Sequence, residues 1–151
     1  MVLPQLYLDT TVPSALLDDR APERQELTRL FWEERLSDFT PVVSIVTIGE
    51  IRNTPDVARS QALEDLVSDF DLLPLGEEAR RLSEIYIRRG IFTRKQRADS
   101  QHLAIASANR IRYLVSWNFK HLVKLSTRKE ANLVNMLLGY DSIEIVVPPE
   151  L

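Results

Sequence analysis

Apolar positions along the chain follow two patterns that alternate. Short continuous runs, many of them β-branched, cover residues 5–8, 42–46, 71–75, 113–117 and 143–147. Runs of this kind suit strands covered on both faces, as in a parallel sheet. Between them, apolar residues recur every three or four positions, the spacing of a helix face. Leu27, Leu30 and Phe31 mark a helix over 23–36, and Leu63, Leu66, Val67 and Phe70 mark another. Ala79, Leu82, Ile85 and Tyr86 mark a third over 77–89, which Gly90 ends. Residues 98–109 are apolar almost all round, as in a buried helix. Pro13 suits the first turn of a short helix after the first strand, and Pro41 punctuates before the second strand. Thr47-Ile48-Gly49-Glu50 starts a helix, and Thr127 with Glu130 has the spacing of a capping box for a last helix closed by Gly139.

Strand and helix alternate along the whole chain, which predicts one α/β domain over 1–151: a three-layer α/β/α sandwich with a central, mainly parallel sheet. In such sheets ligands bind beyond the carboxyl ends of the strands. Asp9 ends the first strand, Glu50 follows the second, and Asn118 follows the run that contains Leu114 and Val115. Asp99 opens the helix feeding that run, in line with Leu103 and Ala106. Four acidic or amide groups are thus expected at one edge. Carboxylates brought together repel unless a cation or a proton lies between them. Mg2+ or Mn2+ is the natural cation, being hard and oxygen-liganded. Such an ion polarises a phosphoryl oxygen and supplies a nucleophile.

Each signal also has a plainer reading. Asp9 can cap a short helix, Thr47 and Glu50 can be a capping box, Asp99 can complement a helix dipole, and Asn118 can be a turn residue. Thr10 and Ser116 can position water near a metal or simply cap. His102, one turn after Asp99, reads as a hydrogen-bonded core residue, and His121 as a surface one. Tyr86 reads as core, with Phe92 as a candidate for stacking on a base.

Composition narrows the chemistry further. Charged residues make up 27% and hydrophobic ones 44% of 151, so the chain is neither disordered nor membranous. With no cysteine, disulfides, thiolate chemistry and cysteine-bound zinc drop out. A net charge of −3 gives no global attraction to nucleic acid, so any such contact needs a local patch. Arg88, Arg89, Arg94, Lys95 and Arg97 form one just before Asp99. It suits a phosphodiester backbone if the carboxylate cluster is real. No signal peptide or membrane span is read, and a cytoplasmic chain is expected.

Tyr7-Leu8-Asp9-Thr10-Thr11-Val12, Glu50, residues 99–106 (DSQHLAIA) and residues 114–119 (LVSWNF) together resemble a PIN domain, in particular the VapC-like toxins of type II toxin–antitoxin pairs. The resemblance spans nearly the whole chain. It implies a parallel-sheet α/β/α sandwich and a metal-dependent nuclease. Asp9, Glu50 and Asp99 would hold Mg2+ or Mn2+, with Thr10 and Ser116 as supporting residues. It also implies a small cognate antitoxin and a homodimer, and the expected substrate is RNA, bound by Arg94, Lys95 and Arg97. Many family members carry a fourth acid where Asn118 stands. An amide oxygen can still ligate but adds no charge. The alternative is therefore a catalytically weak or inactive module of the same fold that binds RNA or a protein partner.

Overall fold

Side chains alternate across a strand with period two, so each strand here feeds two cores at once. The computed structural model describes residues 2–151. Strands β1 (Gln5–Leu8), β2 (Thr40–Ser44), β3 (Asp71–Leu73), β4 (Tyr113–Val115) and β5 (Glu144–Val146) form one sheet in the order β3-β2-β1-β4-β5. Every pairing is parallel, with Tyr7 opposite both Val42 and Leu114. Tyr7, Val42, Leu114 and Ile145 point to one core, covered by α5 (Glu77–Arg88), α6 (Arg97–Ala108) and α7 (Leu125–Leu137). Leu6, Leu8, Val43 and Val115 point to the other. That face is covered by α1 (Thr11–Leu16), α2 (Pro22–Glu34), α3 (Ile45–Arg52) and α4 (Val57–Val67). The expected three-layer sandwich is present, and its sheet is parallel throughout. Burying each large apolar side chain contributes roughly 1.5–3 kcal/mol.

The α5/α6/α7 layer is pinned by polar groups. Tyr86 Oη donates to Asn135 Oδ1 at 2.5 Å, and Asn135 Nδ2 donates to Ser107 Oγ at 2.9 Å, all buried. Phe92 is only 2% exposed and packs near Tyr86, so the base-stacking expectation for it is overturned.

Several boundaries differ from the sequence expectation, each for a local reason. Pro41 lies inside β2, opposite Leu6, rather than before the strand. Ile45 and Val46 belong to α3. Ser44 Oγ accepts from Val46 N at 3.1 Å, and Thr47 Oγ1 accepts from Ser44 N at 3.3 Å. The cap is therefore Ser44, and the Thr47–Glu50 capping box does not form. The Thr127–Glu130 box fails likewise, because α7 already begins at Leu125 and buried Thr127 Oγ1 donates to His121 O at 3.0 Å. On α2 the buried residues are Thr28 and Phe31, whereas Leu27 and Leu30 are 40% and 37% exposed. Because Ser44 both caps α3 and accepts from Tyr7, Ser44→Ala is expected to cost about 1–2 kcal/mol, read as a lower urea midpoint with unchanged slope. Among the described residues no helix is long and apolar enough to cross a membrane.

Candidate metal and phosphodiester site

The chain leaves β1 towards β2 and leaves β4 towards β5, so the strand order reverses between β1 and β4. A crevice opens beyond the carboxyl ends of two such strands. Asp9 stands there, its N–H donating to Val115 O at 3.2 Å. Its carboxylate is 2% exposed and held at both oxygens. Ser116 Oγ donates to Oδ2 at 2.6 Å, while Thr11 N, at 3.1 Å, and Thr11 Oγ1 donate to Oδ1. Thr11 is itself fixed by accepting from Trp117 N at 2.9 Å. Burial is the main force that pushes the Asp9 carboxyl up to about 6, and the Glu50 charge adds to it. His102, Ser116 and Thr11 oppose the rise.

Glu50 projects from α3 to the same edge. Its Oε1 accepts from Thr10 Oγ1 at 2.7 Å and from His102 Nε2 at 2.6 Å. The other ring nitrogen of His102, Nδ1, lies 2.6 Å from Tyr7 Oη, which donates to Ser44 Oγ at 2.7 Å. The buried ring thus bridges Tyr7 on β1 and Glu50 on α3 through its two nitrogens. Burial alone would lower the His102 pKa, but the Glu50, Asp9 and Asp99 charges outweigh it and hold the pKa above the usual histidine value. Burial also pushes Glu50 up, yet the His102 and Thr10 bonds win and hold it below the ordinary glutamate value.

Asp99, in the first turn of α6, is half-buried. Burial raises its carboxyl, Glu50 adds repulsion, and His102, His121 and the nearby Asn118 amide offset part of this. Asn118 Oδ1 accepts from His121 N at 2.9 Å. An aspartate at 118 would add a further negative charge near Asp99. Asn118→Asp is accordingly expected to lower the melting temperature of the metal-free protein and to enlarge the stabilisation on adding Mn2+. Differential scanning fluorimetry with and without the ion reads both.

The structure thus couples Asp9, Glu50 and Asp99 electrostatically to one buried histidine, His102. Thr10 bonds Glu50 and Ser116 bonds Asp9, while Asn118 lies near Asp99. Arg94, Lys95 and Arg97 are exposed, two to five residues before Asp99, with Arg94 paired to Glu84 at 3.0 Å. His121 is half-buried rather than a free surface residue, its Nδ1 lying 2.9 Å from Gln96 Nε2. Sequence reading did not identify the direct His102–Glu50 contact or the role of Thr11. The only hint was their nearness in sequence to Asp99 and Asp9. A hard divalent ion fits this chemistry, since the carboxylates offer oxygen donors and Glu50 repels both Asp9 and Asp99. Among the described residues, no three acidic or histidine side chains already stand close enough to hold one.

No family model matches the sequence, and no curated protein matches it by sequence. Solved structures do match. A toxin–antitoxin complex from Klebsiella pneumoniae aligns over 81% of this chain and 93% of its own, at 16% identity and a TM-score of 0.60. VapC20 of Mycobacterium tuberculosis, described as a toxin that cleaves the sarcin–ricin loop, aligns over 92% and 98%, at 12% identity and a TM-score of 0.59. VapBC2 of Rickettsia felis, solved bound to a DNA fragment from its promoter, aligns over 95% and 98%, at 12% identity and a TM-score of 0.56. The chain has the PIN-domain fold of the VapC toxins.

Proposed function

We propose that the protein is a metal-dependent endoribonuclease, the toxin of a type II toxin–antitoxin pair, acting in the cytoplasm. The observation that carries this reading is that Asp9, Glu50 and Asp99 each interact electrostatically with His102 beside the strand-order switch of a PIN fold. These three residues would hold Mg2+ or Mn2+, which when bound supplies Lewis-acid stabilisation and an activated water. The chain's own groups prepare the site. Ser116 and Thr11 fix Asp9, and Thr10 and His102 fix Glu50. Arg94, Lys95 and Arg97 supply positive charge for the RNA backbone.

A small cognate antitoxin and a homodimer belong to the same proposal. The similar structures that include complexes support the first. The second is supported by a solvent-facing stripe on α7, where Leu125, Leu133, Met136 and Leu137 are 49–68% exposed. Light scattering of the purified chain reads the oligomer.

The test is cleavage of mixed RNA with Mn2+, with EDTA, and by Asp99→Asn. Metal-dependent cleavage that Asp99→Asn abolishes is expected, and cleavage that persists in EDTA refutes the proposal. One observation favours a second reading, a PIN-fold binding module: Glu50 Oε1 is already held by His102 and Thr10. Calorimetry separates the two, because a binding module shows no Mg2+ or Mn2+ uptake at millimolar concentration.

A further inference from the structure

The segment after β4 carries two aromatic rings beside the carboxylates. Trp117 is 8% exposed, and its Nε1 donates to Thr28 Oγ1 at 2.9 Å, so its ring is fixed against α2. Phe119, 51% exposed, stands 6.1 Å away between ring centroids at an interplanar angle of 57°. The Arg24 guanidinium lies 5.2 Å from the Trp117 ring centre and 5.9 Å from that of Phe119. A hollow of about 430 Å3 opens here, walled by Pro22, Glu23, Arg24, Leu27 and Trp117. Half of the Phe119 ring contributes nothing to the core, yet the turn that presents it is held by Asn118 Oδ1 accepting from His121 N.

This platform is continuous with the anionic cluster. Trp117 N donates to Thr11 Oγ1, the hydroxyl that donates to Asp9. Phe119 follows Trp117 by two residues, so the same turn sets both rings beside that carboxylate. A phosphodiester at the carboxylates would have an adjoining nucleotide on the side of Phe119. Aromatic rings and arginine are the groups on which unpaired bases stack. The apolar wall of Pro22 and Leu27 suits a flat ring, and the Glu23 carboxylate rejects a second phosphate while accepting an exocyclic amino group.

We propose that Arg24, Trp117 and Phe119 form a nucleobase subsite, on which an unpaired base next to the bound phosphodiester of single-stranded RNA stacks. The proposal rests on the ribonuclease reading and adds a substrate requirement to it: a flexible, unpaired nucleotide beside the scissile bond.

The test uses the full-length protein with Ca2+ in place of Mn2+, the RNA checked on a gel to be uncleaved, and fluorescence anisotropy of a labelled single-stranded RNA octamer. Phe119→Ala is expected to weaken binding about tenfold, the order of one lost base-stacking contact. Phe119→Leu, apolar but without a π face, behaves like the alanine variant, and Phe119→Trp restores affinity. An abasic nucleotide scanned along the octamer weakens the wild type at one position and leaves Phe119→Ala indifferent there. Unchanged circular dichroism and melting temperature show that the variants are folded, as the exposure of Phe119 predicts. Wild-type affinity in both Phe119→Ala and Phe119→Leu overturns the subsite while leaving the nuclease reading intact. Equal losses for a blunt RNA duplex and the single strand overturn it too, since stacking needs an unpaired base. Intact RNA binding with loss of a co-expressed protein partner makes this a protein-docking face and overturns it as well. A wild type that neither binds nor cleaves RNA removes the ribonuclease reading and the subsite with it.

Discussion

Asp9→Asn is expected to abolish most RNA cleavage and, in the same molecule, to raise the stability of the metal-free protein at neutral pH. The loss of rate should be on the order of 10²–10³-fold, the size seen when one preorganised electrostatic contact to a transition state is removed. The gain follows from burial. Asp9 is 2% exposed and its carboxyl is pushed up to about 6 from an ordinary 3.8. A carboxyl raised on folding stabilises the fold fully below its unfolded pKa and loses that contribution as pH rises through the folded one. Wild-type stability should therefore fall between about pH 4 and 6, by roughly 2–3 kcal/mol at 1.36 kcal/mol for each unit. The asparagine variant has no proton to lose there, and Ser116 can turn its hydroxyl to accept from the new amide. Urea titrations at pH 4 and pH 7.5 check this: the two proteins should differ little at the lower pH, with the variant more stable at the higher. A variant less stable than wild type at pH 7.5 would show that the hydrogen bonds to the carboxylate outweigh its desolvation.

The second large effect is expected at His102. Its ring joins Tyr7 on β1 to Glu50 on α3 from within α6, and it is 1% exposed. Removing it in His102→Ala leaves a cavity, a Glu50 held by Thr10 alone and a Tyr7 hydroxyl without its ring-nitrogen partner. Breaking a buried ion pair from one side costs roughly 3–5 kcal/mol. The low end applies here, because the Glu50 side chain is 38% exposed and water can replace part of the loss. Tyr7→Phe removes only the hydroxyl and should cost about 1–3 kcal/mol. Denaturant midpoints order the three proteins as wild type, Tyr7→Phe, His102→Ala. A His102→Ala midpoint within error of wild type would mean that the pair contributes nothing to the fold.

The layer order and the parallel sheet were legible because each strand is a short apolar run and each crossover is a helix-spaced one. Boundaries failed where two kinds of local chemistry compete. Ile45 and Val46 are β-branched and extend the Val42–Val43 run, so they read as strand; Ser44 and Thr47 cap them into helix, and Ile45 ends up 54% exposed. Thr127 and Glu130 have box spacing, but the helix had already begun two residues earlier. Leu27 and Leu30 share helical spacing with Phe31, yet the face they define points away from the sheet. Within the site, Asp9 and Asp99 could be found because they sit at element ends that topology sends to one edge. The Glu50–His102 contact could not, since 52 residues separate its partners and neither position differs locally from a cap or a core residue.

The central position of β1 has a consequence for synthesis. This strand precedes the other four, yet its neighbour β4 begins only at Tyr113, and its Tyr7 waits for His102. A ribosome that stops before that point releases a chain with one flank of its innermost strand bare and its acidic groups unassembled. Incomplete products thereby carry an exposed apolar strand edge that favours association with one another and proteolysis.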